Sequence, residues 1–418
     1  MLIQTILKKT LQYKGFSFGR AKFGKGRRGT PSIEVEIFPK KSNQPICSGC
    51  GKFFRVYDHL KERLIEHIPF WGFLVFFCYS MRRVDCPRCG VVVERVPWVN
   101  GKHHLSREYS WYLSGWCKRL SIQEAADAFR TTWYYVFCAL EMAVEWGRAN
   151  MDLTGIRSLG IDEILWRRGR KFLTMVYQID NHRKRLLWVG EERTVVTIEG
   201  FFKWFGKKKS SALHFICSDM WKPYLKIVAQ KAKRAIHILD RFHIMSKMNE
   251  AIDDVRSAEV KQLAANGETP ILKHSRWIWL KRPENHTAKE NLKLSMLLKL
   301  NLKTIRSYLL KMDFYNLWEY VSPYWAGKFL DKWCDKVMRS RLEPMKKFAK
   351  TIYAHRSLIL NWFKAKGTIS SGAVEGLNNK AKISFRRAYG FRTFRIAEIV
   401  LYHSLGDLPE FEFTHKFF

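Results

Sequence analysis

Two aspartates lie in sequence contexts where a simple surface charge is a poor explanation. Asp162 lies inside the apolar segment SLGIDEILW, and Asp219 directly follows the apolar segment ALHFICS. Neither has an obvious lysine or arginine partner in its segment, and two carboxylates brought close together repel each other unless cations lie between them. We therefore predict a metal site. Carboxylate oxygens favour Mg²⁺ or Mn²⁺.

The third carboxylate of this site is predicted to be Glu375, in the segment TISSGAVEGLNNKAKISFRR. A helix capped by Ser370 or Ser371 is expected there, with an apolar stripe formed by Val374, Leu377 and Ala381. The opposite face carries Glu375 with Asn378, Asn379, Lys382 and Arg386. The candidates for contacts with a nucleic-acid backbone are Asn379, Lys382, Arg386 and Arg387. The alternative is a solvated, charged helix.

Two Cys-x-x-Cys pairs indicate a separate, structural metal site. They are Cys47/Cys50 and Cys86/Cys89, and each is followed by glycine. Two residues between thiolates let both sulfurs reach one tetrahedral Zn²⁺, and glycine permits the turn that directs backbone amides at sulfur. The segment VFFCYSMRRVDC predicts a strand that leads into the second pair, as in a zinc ribbon. The alternative is unliganded structural cysteines, and burial alone is predicted for Cys78, Cys117, Cys138, Cys217 and Cys334.

The elements that must position the acids follow from the periodicity of the apolar residues. Period-two segments SLGIDEILW, KFLTMVYQI and RLLWVG, separated by turn residues, predict three antiparallel strands. A helix at residues 194–205, a strand ending before Asp219, a helix at residues 221–233 and a strand ending at Asp240 follow. This order is typical of a ribonuclease H-like sheet, whose fourth strand lies beside the first and brings Asp219 toward Asp162.

The segment LSIQEAADAFRTTWYYVFCALEMAVEWG predicts two helices joined by a short break. Ser121 can cap the first helix with Glu124 as its capping-box partner, and Thr131 can cap the second. Small alanines at the crossing are typical of a helix-turn-helix, whose second helix enters a major groove. The DNA contacts predicted at the start of that helix are Thr132, Trp133 and Tyr134. The alternative is a plain helical hairpin that links two domains.

Composition points to nucleic acid as the partner. Lys and Arg outnumber Asp and Glu by 74 to 38, and the resulting net charge of +36 repels itself unless a polyanion neutralises it. The basic residues run through the whole chain, which disfavours a membrane surface, and the most apolar stretch, residues 68–79, is shorter than the roughly 20 residues of a span. It predicts a buried strand pair. The N-terminal charges follow a short apolar run, the reverse of a secretory signal, so a cytoplasmic, nucleoid-associated protein is predicted.

Four motifs in sequence order resemble those of DDE transposases from bacterial insertion sequences of the ISL-three family. They are GIDE, CSDM followed by PY, DRFH, and SGAVEGLNNKAK with RRAYGFR. The resemblance spans essentially the whole chain, because that family also carries an N-terminal zinc-binding segment and a helix-turn-helix. It implies that Asp162, Asp219 and Glu375 form the catalytic triad. Asp240 and His243 match a supporting Cys/Asp-x-x-His motif found in many such enzymes.

The chain is too long for one ordinary core, so a multidomain α+β and α/β protein is predicted. The helical spacing between Asp219 and Glu375 indicates that an all-helical insertion interrupts the core, in which Trp277, Trp279, Arg282 and His286 could steer an opened DNA end. Core packing is the alternative for the tryptophans. The predicted parts are a loosely ordered basic arm (1–45), a zinc ribbon (46–97), a helix-turn-helix domain (98–150), the first part of the ribonuclease H-like core (151–245), an all-α insertion (246–366), and the final core helix with the C-terminus (367–418).

These expectations combine into a hypothesis of metal-dependent DNA cleavage and strand transfer at the terminal inverted repeats of an insertion sequence. Asp162 would bridge two Mg²⁺ or Mn²⁺ ions about 4 Å apart, and Asp219 and Glu375 would each hold one. A homodimer would hold two element ends and meet a target duplex. Two alternatives remain open: a zinc-ribbon and helix-turn-helix regulator without catalysis, and a structure-specific nuclease that cuts but does not join.

Overall fold

The computed structural model of the chain describes residues 3–26, 29–167, 169, 171–268, 271–365 and 372–411. The chain divides into two compact units. The first combines Met1–Asp152 with Ile383–Phe418, and the second is Leu153–Lys382. Each unit contains both helices and a sheet, so the protein is a mixed α/β multidomain chain.

The N-terminal segment of the first unit begins with a helix, continues with a six-stranded sheet and ends with three helices. The elements are α1 (Ile3–Thr10), β1 (Phe16–Lys25), β2 (Pro31–Pro39), β3 (Ile46–Cys47), β4 (Val56–Phe70), β5 (Phe73–Cys86), β6 (Gly90–Arg95), α2 (Arg107–Trp116), α3 (Ile122–Ala128) and α4 (Trp133–Ala149). The strands are ordered β1-β2-β5-β6-β3, and β4 pairs with β5 off this path. Only the β2–β5 pair is parallel among the described pairs of this sheet.

The loosely ordered arm predicted for residues 1–45 is wrong for the part of it that the structure describes. Strands β1 and β2 pair along almost their whole length, and β2 also pairs with β5. Phe18, Val35 and Ile37 are buried in the core of this sheet. The alternation of Ile33, Val35 and Ile37 with glutamates in β2 is the period-two pattern of a strand, but it is short and is surrounded by turn residues and basic residues.

The buried strand pair predicted at residues 68–79 is present as the β4–β5 hairpin, closed by Trp71 and Gly72 with positive φ angles. The two strands differ, because most of β5 is buried and most of β4 is exposed. Helices α3 and α4 match the predicted pair, and Ser121 and Glu124 form the expected capping box. The second cap is a correction: Thr132, not Thr131, accepts the N–H of Tyr135.

The second unit begins with five strands and three helices, followed by a run of helices. The elements are β7 (Ser158–Arg167), β8 (Lys171–Asp180), β9 (Arg183–Glu191), α5 (Val195–Phe205), α6 (Lys207–Ser211), β10 (Phe215–Ser218), α7 (Lys222–Lys231), β11 (Ile236–Leu239), α8 (Arg241–Ala265), α9 (Arg276–Leu280), α10 (Ala288–Leu297), α11 (Lys303–Tyr315), α12 (Pro323–Met338), α13 (Glu343–Ala354) and α14 (Arg356–Lys364). Their sheet is ordered β11-β10-β7-β8-β9.

The predicted order of strands is confirmed in this sheet. β7, β8 and β9 are antiparallel neighbours, whereas β10 runs parallel to both β7 and β11. Helix α5 begins after Thr194, whose hydroxyl caps it, and ends at Phe205 as expected. Parallel neighbours need a crossover connection, which α7 supplies between β10 and β11.

The segment between β11 and residue 365 is helical wherever the structure describes it, apart from short 3-10 turns and loops. Its helices enclose one large apolar core. Core packing, the alternative considered for the tryptophans, holds for Trp279, which is 0% exposed, and fails for Trp277, which is 59% exposed. Beneath Trp279, the buried ammonium of Lys311 donates to the carbonyl oxygens of Trp279 and Leu280.

Two helices close the chain, α15 (Gly372–Arg387) and α16 (Phe394–Leu405), and the division between the two units falls inside α15. Val374, Leu377 and Ala381 are buried, which confirms the predicted apolar stripe. The predicted caps Ser370 and Ser371 lie outside the described residues. No helix in the described ranges has the length and apolar character needed to cross a membrane.

Candidate active site

Three aspartates line up across neighbouring parallel strands of the second unit. β7 and β10 pair with Gly160 opposite Cys217, so Asp162 and Asp219 each lie two residues beyond the last registered pair. β10 and β11 pair with Ser218 opposite Leu239, which places Asp240 level with Asp219 one residue later. The sheet register alone therefore brings three carboxylates to one region of the sheet.

Asp162 is held by donors from three different elements. Its Oδ1 accepts the backbone N–H of Glu163 at 2.8 Å and lies 3.4 Å from Nε2 of His243 at the start of α8. Its Oδ2 accepts the side-chain amide of Asn378 at 2.6 Å. The carboxylate is therefore oriented by the strand, by α8 and by α15 together.

Asn378 is a correction to the predicted surface of α15. It was placed on the exposed face with Glu375, yet it is 5% exposed and shares the buried side with Val374 and Leu377. Its amide oxygen accepts the hydroxyl of Tyr177 from β8 at 2.6 Å, while its amide nitrogen donates to Asp162. Its helical position lies at the boundary between the two faces, which is the signal that could have revealed this role.

Asp219 also has both oxygens engaged, and its basic partner comes from outside its own apolar segment. Oδ1 accepts the backbone N–H of Trp221 at 2.8 Å, and Oδ2 accepts Nη2 of Arg193 at 2.5 Å. Arg193 immediately precedes the cap of α5 and is 26 positions away in the chain. A partner at that separation is invisible to a search within the apolar strand.

Glu163 forms a second ion pair with the same arginine. Its Oε1 lies 2.9 Å from Nε of Arg193, although the two are not aligned as a hydrogen bond. Burial raises the pKa of Glu163 to about 7, and the negative charge of Asp219 raises it too, whereas a hydrogen bond from Tyr224 and the charge of Arg193 oppose this. Glu163 stands beside Asp162 in GIDE, and no feature of the sequence pointed to a role for it.

Asp240 and His243, predicted to support the site, lie beside Asp162, with Nε2 of His243 3.4 Å from Oδ1 of Asp162 and 4.0 Å from Oδ2 of Asp240. Burial raises the pKa of Asp240 to about 6, opposed by the N–H of Phe242 and by His243, while the charges of Asp162 and Glu375 raise it further. The hydrogen bond that His243 donates to Asp162 raises the pKa of His243 to about 9 despite burial. Their electrostatic coupling shows that four carboxylates and one imidazole occupy a common region.

Glu375 lies on the exposed face of α15, one residue after the buried Val374. It acts on Asp240 through its charge. The described residues contain only one group of three or more Cys, His, Asp or Glu ligands whose donor atoms lie within 4.8 Å of one another, and that group is the cysteine cluster. The three predicted acids therefore share a region without forming a closed ligand set in this structure.

The contact that seats α15 on the sheet is unusually close. A Cβ added to Gly160 of β7 would lie 2.4 Å from Cγ2 of Val374. The absence of a side chain at Gly160 thus permits the helix that carries Glu375 and Asn378 to approach the strand that carries Asp162.

The four predicted zinc ligands converge in the first unit. The donor sulfurs of Cys47, Cys50, Cys86 and Cys89 lie within 4.8 Å of one another. Gly51 and Gly90, the glycines after the two pairs, have φ angles of +73° and +71°, as expected for the knuckle turns. Backbone N–H groups of Cys50 and Gly49 lower the pKa of Cys47 to about 7. The cluster is consistent with a zinc ribbon.

The other single cysteines divide between two environments. Cys78, Cys217 and Cys334 are buried as predicted, whereas Cys117 and Cys138 are only half-buried.

The residues predicted to contact DNA are exposed. On α4 these are Thr132, Trp133 and Tyr134, and on α15 they are Asn379, Lys382, Arg386 and Arg387. Thr132 is also the helix cap, and Arg387 lies 3.6 Å from Glu124 as an exposed ion pair. Exposure leaves these side chains available to phosphates, and no described contact assigns them to DNA.

Comparison with known proteins agrees with the motif order. The sequence profile of the ISL-three DDE family, described as "Transposase", matches residues 159–399. The chain is 25% identical over 395 residues to the transposase for insertion sequence element IS1001 of Bordetella parapertussis, covering 94% of this chain and 96% of that protein. It is 25% identical over 390 residues, 86% of each chain, to the transposase for insertion sequence element IS1557 of Mycobacterium tuberculosis (strain CDC 1551 / Oshkosh). Because the profile covers more than half of the chain, the protein belongs to the ISL-three family of DDE transposases, enzymes that cleave and join DNA with divalent metal ions.

Proposed function

We propose that this transposase cuts DNA at the ends of its insertion sequence and joins them to a target with Asp162, Asp219 and Glu375 as its catalytic acids. The observation that carries this assignment is the sheet register, which places Asp162 and Asp219 level on adjacent parallel strands. The contact of α15 with β7 and the hydrogen bond from Asn378 to Asp162 bring the helix of Glu375 to the same strand.

The core of the second unit is proposed to be ribonuclease H-like. Its strand order, with three antiparallel strands followed by two parallel ones on the other side of β7, supports this assignment. The helices between β11 and α15 are then an insertion into that core. Such an arrangement keeps the acids on rigid strands while leaving the insertion free to evolve contacts with DNA.

The donor set fits a hard divalent cation, and we assign Mg²⁺ to the three acids. Their oxygens are the ligand type that Mg²⁺ prefers. Asp162 and Asp219 are nearly buried, and burial, with a smaller contribution from the charges of Asp162 and Glu375, raises the pKa of Asp240 beside them, so the site favours added positive charge. When bound, two such ions activate the attacking oxygen and stabilise the leaving oxygen of an in-line displacement.

The remaining residues of the site position these acids. Asn378, itself held by Tyr177, orients Asp162 from one side, and His243 approaches it from the other. The N–H of Trp221 orients Asp219. Lys382 is exposed on the same helix as Glu375 and is suited to hold a DNA phosphate.

Recognition of the element ends is assigned to the first unit. Four sulfurs in one cluster fit a structural Zn²⁺, which would hold β3 and the β5–β6 turn together. Helices α3 and α4 are proposed as a helix-turn-helix, with exposed Thr132, Trp133 and Tyr134 entering the major groove. Two ends must be held for joining, which supports a homodimer on DNA.

A labelled duplex that carries one element end, incubated with purified protein and Mg²⁺, tests the triad. Asp162→Asn, Asp219→Asn and Glu375→Gln should each abolish cleavage while end binding persists. Asp331→Asn is the matched control, because Asp331 is ion-paired with Arg356 and its described contacts include none of the acids. Full cleavage by Glu375→Gln would refute its assignment.

The same reaction distinguishes a transposase from a nuclease and from a DNA-binding regulator. A nuclease would cut without joining the end to a second duplex, and a regulator would bind without cutting. Footprinting on cognate ends and on random DNA tests recognition, since equal protection of both would contradict specific binding.

A further inference from the structure

Arg193 lies at a convergence of charges that the triad alone does not explain. Its guanidinium contacts Asp219 Oδ2 through Nη2 at 2.5 Å and approaches Glu163 Oε1 through Nε at 2.9 Å. Its Cζ lies 4.6 Å from the centre of the Trp221 ring. The side chain is therefore clamped between two carboxylates and an aromatic face.

The two carboxylates that contact Arg193 are mostly shielded from solvent. The side chains of Glu163 and Asp219 are 7% and 13% exposed, so their charges are poorly solvated and need a counter-ion. Arg193 lies directly before the cap of α5, and the hydroxyl of Thr194 anchors that helix start. The capped start of α5 therefore fixes the end of the bend that carries Arg193.

We propose that Arg193 is a positioning residue that holds Asp219 through its Oδ2 and competes with the catalytic metal for that oxygen. This inference rests on the proposed role of Asp219 as a metal ligand. Both Asp219 oxygens already accept hydrogen bonds, so an incoming cation must share or displace the guanidinium. Arg193 therefore weakens metal binding while it keeps Asp219 in the geometry required for cleavage.

Arg193 is expected to weaken metal binding and to support cleavage, and these opposite effects distinguish its role from a purely structural one. Loss of a fold-stabilising contact would weaken both metal binding and cleavage. Loss of a competing positive charge should strengthen metal binding, because a cation on Asp219 no longer meets a guanidinium at close range. Cleavage at saturating metal should still fall, because Asp219 loses the donor that orients it.

The test measures free Mn²⁺ by electron paramagnetic resonance during titration of the full-length protein without DNA. Arg193→Gln and Arg193→Ala should lower the dissociation constant for Mn²⁺ by about tenfold, the size expected from removing one partly screened charge. End cleavage at saturating Mn²⁺ should fall in both. Arg193→Lys keeps the charge and should bind Mn²⁺ like the wild type.

Arg356→Ala is the matched control, because Arg356 forms a two-point ion pair with Asp331 and contacts none of the acids. It should leave Mn²⁺ affinity unchanged. Unchanged or weaker Mn²⁺ binding in both neutral Arg193 variants, with binding lost in Asp219→Ala, would overturn the competition alone. Full Mn²⁺ binding by Asp219→Ala would instead overturn the ligand assignment and this inference with it.

Discussion

The close packing of α15 against β7 provides a direct test of how the fold positions Glu375. In Gly160→Ala, the new Cβ would lie 2.4 Å from Cγ2 of Val374 and 3.3 Å from Cγ2 of Ile179. Carbon atoms do not approach within 3.0 Å, so the Val374 side chain, the strand or the helix must move. Val374 precedes Glu375, and a shift of the helix therefore displaces that carboxylate.

The expected loss of stability in Gly160→Ala follows from two opposing effects. Overpacking of a dense core costs about 1–3 kcal/mol. Alanine offsets roughly 0.5–1 kcal/mol of this, because glycine loses more backbone entropy on folding. The net destabilisation is about 0–2.5 kcal/mol on these values. Cleavage should fall by as much as about 10²-fold, the cost of moving a catalytic group by roughly 1 Å.

Urea unfolding and end cleavage measured on the same preparations provide the assay. Adding Val374→Ala removes the clashing methyl groups, so the double variant should be about 1–2 kcal/mol more stable than the sum of the single effects. Gly200→Ala is the control, because its nearest contact is 3.8 Å away and its helix should gain roughly 0.5–1 kcal/mol.

Two results would refute this reasoning. One is a Gly160→Ala protein that is as stable and active as Gly200→Ala. The other is strict additivity of Gly160→Ala and Val374→Ala, which would mean that the two side chains do not compete for the same space.

Three further outcomes follow from the described contacts. Cys47→Ser should lower the zinc content of the purified protein and the melting temperature of the first unit, and unchanged zinc by elemental analysis would contradict the four-sulfur site. Asn378→Leu should cost about 1–3 kcal/mol in urea unfolding, because it leaves the buried Tyr177 hydroxyl without its acceptor; a stability equal to the wild type would rule this out. Burial lowers the pKa of His67 from its unfolded value to about 3. The unfolded chain therefore binds the proton first, so the free energy of unfolding decreases as the pH drops below about 6.5. The decrease is roughly 2 kcal/mol at pH 5. His67→Gln should flatten this part of the stability profile in urea titrations at several pH values, and an unchanged slope would exclude His67 as its source.

The sequence predicted those parts of the protein that depend on local periodicity and on short motifs. Alternating apolar residues located β7, β8 and β9, and the Ser121 and Glu124 capping box located α3. The Cys-x-x-Cys pairs identified the sulfur cluster, since the spacing within each pair is a local property. The hairpin of β1 and β2 was missed although β2 alternates apolar and acidic residues, because glycines and basic residues dominate the rest of that segment.

Only the tertiary structure decided which groups surround each acid. Arg193 reaches Asp219 across 26 positions and Asn378 reaches Asp162 across 216. The sequence located Asp162 in a strand, Asp219 directly after a strand and Glu375 in a helix, because propensity and periodicity act over a few residues. It did not determine their partners or the closeness of Gly160 to Val374, because those depend on strand register and on the packing of side chains across the core.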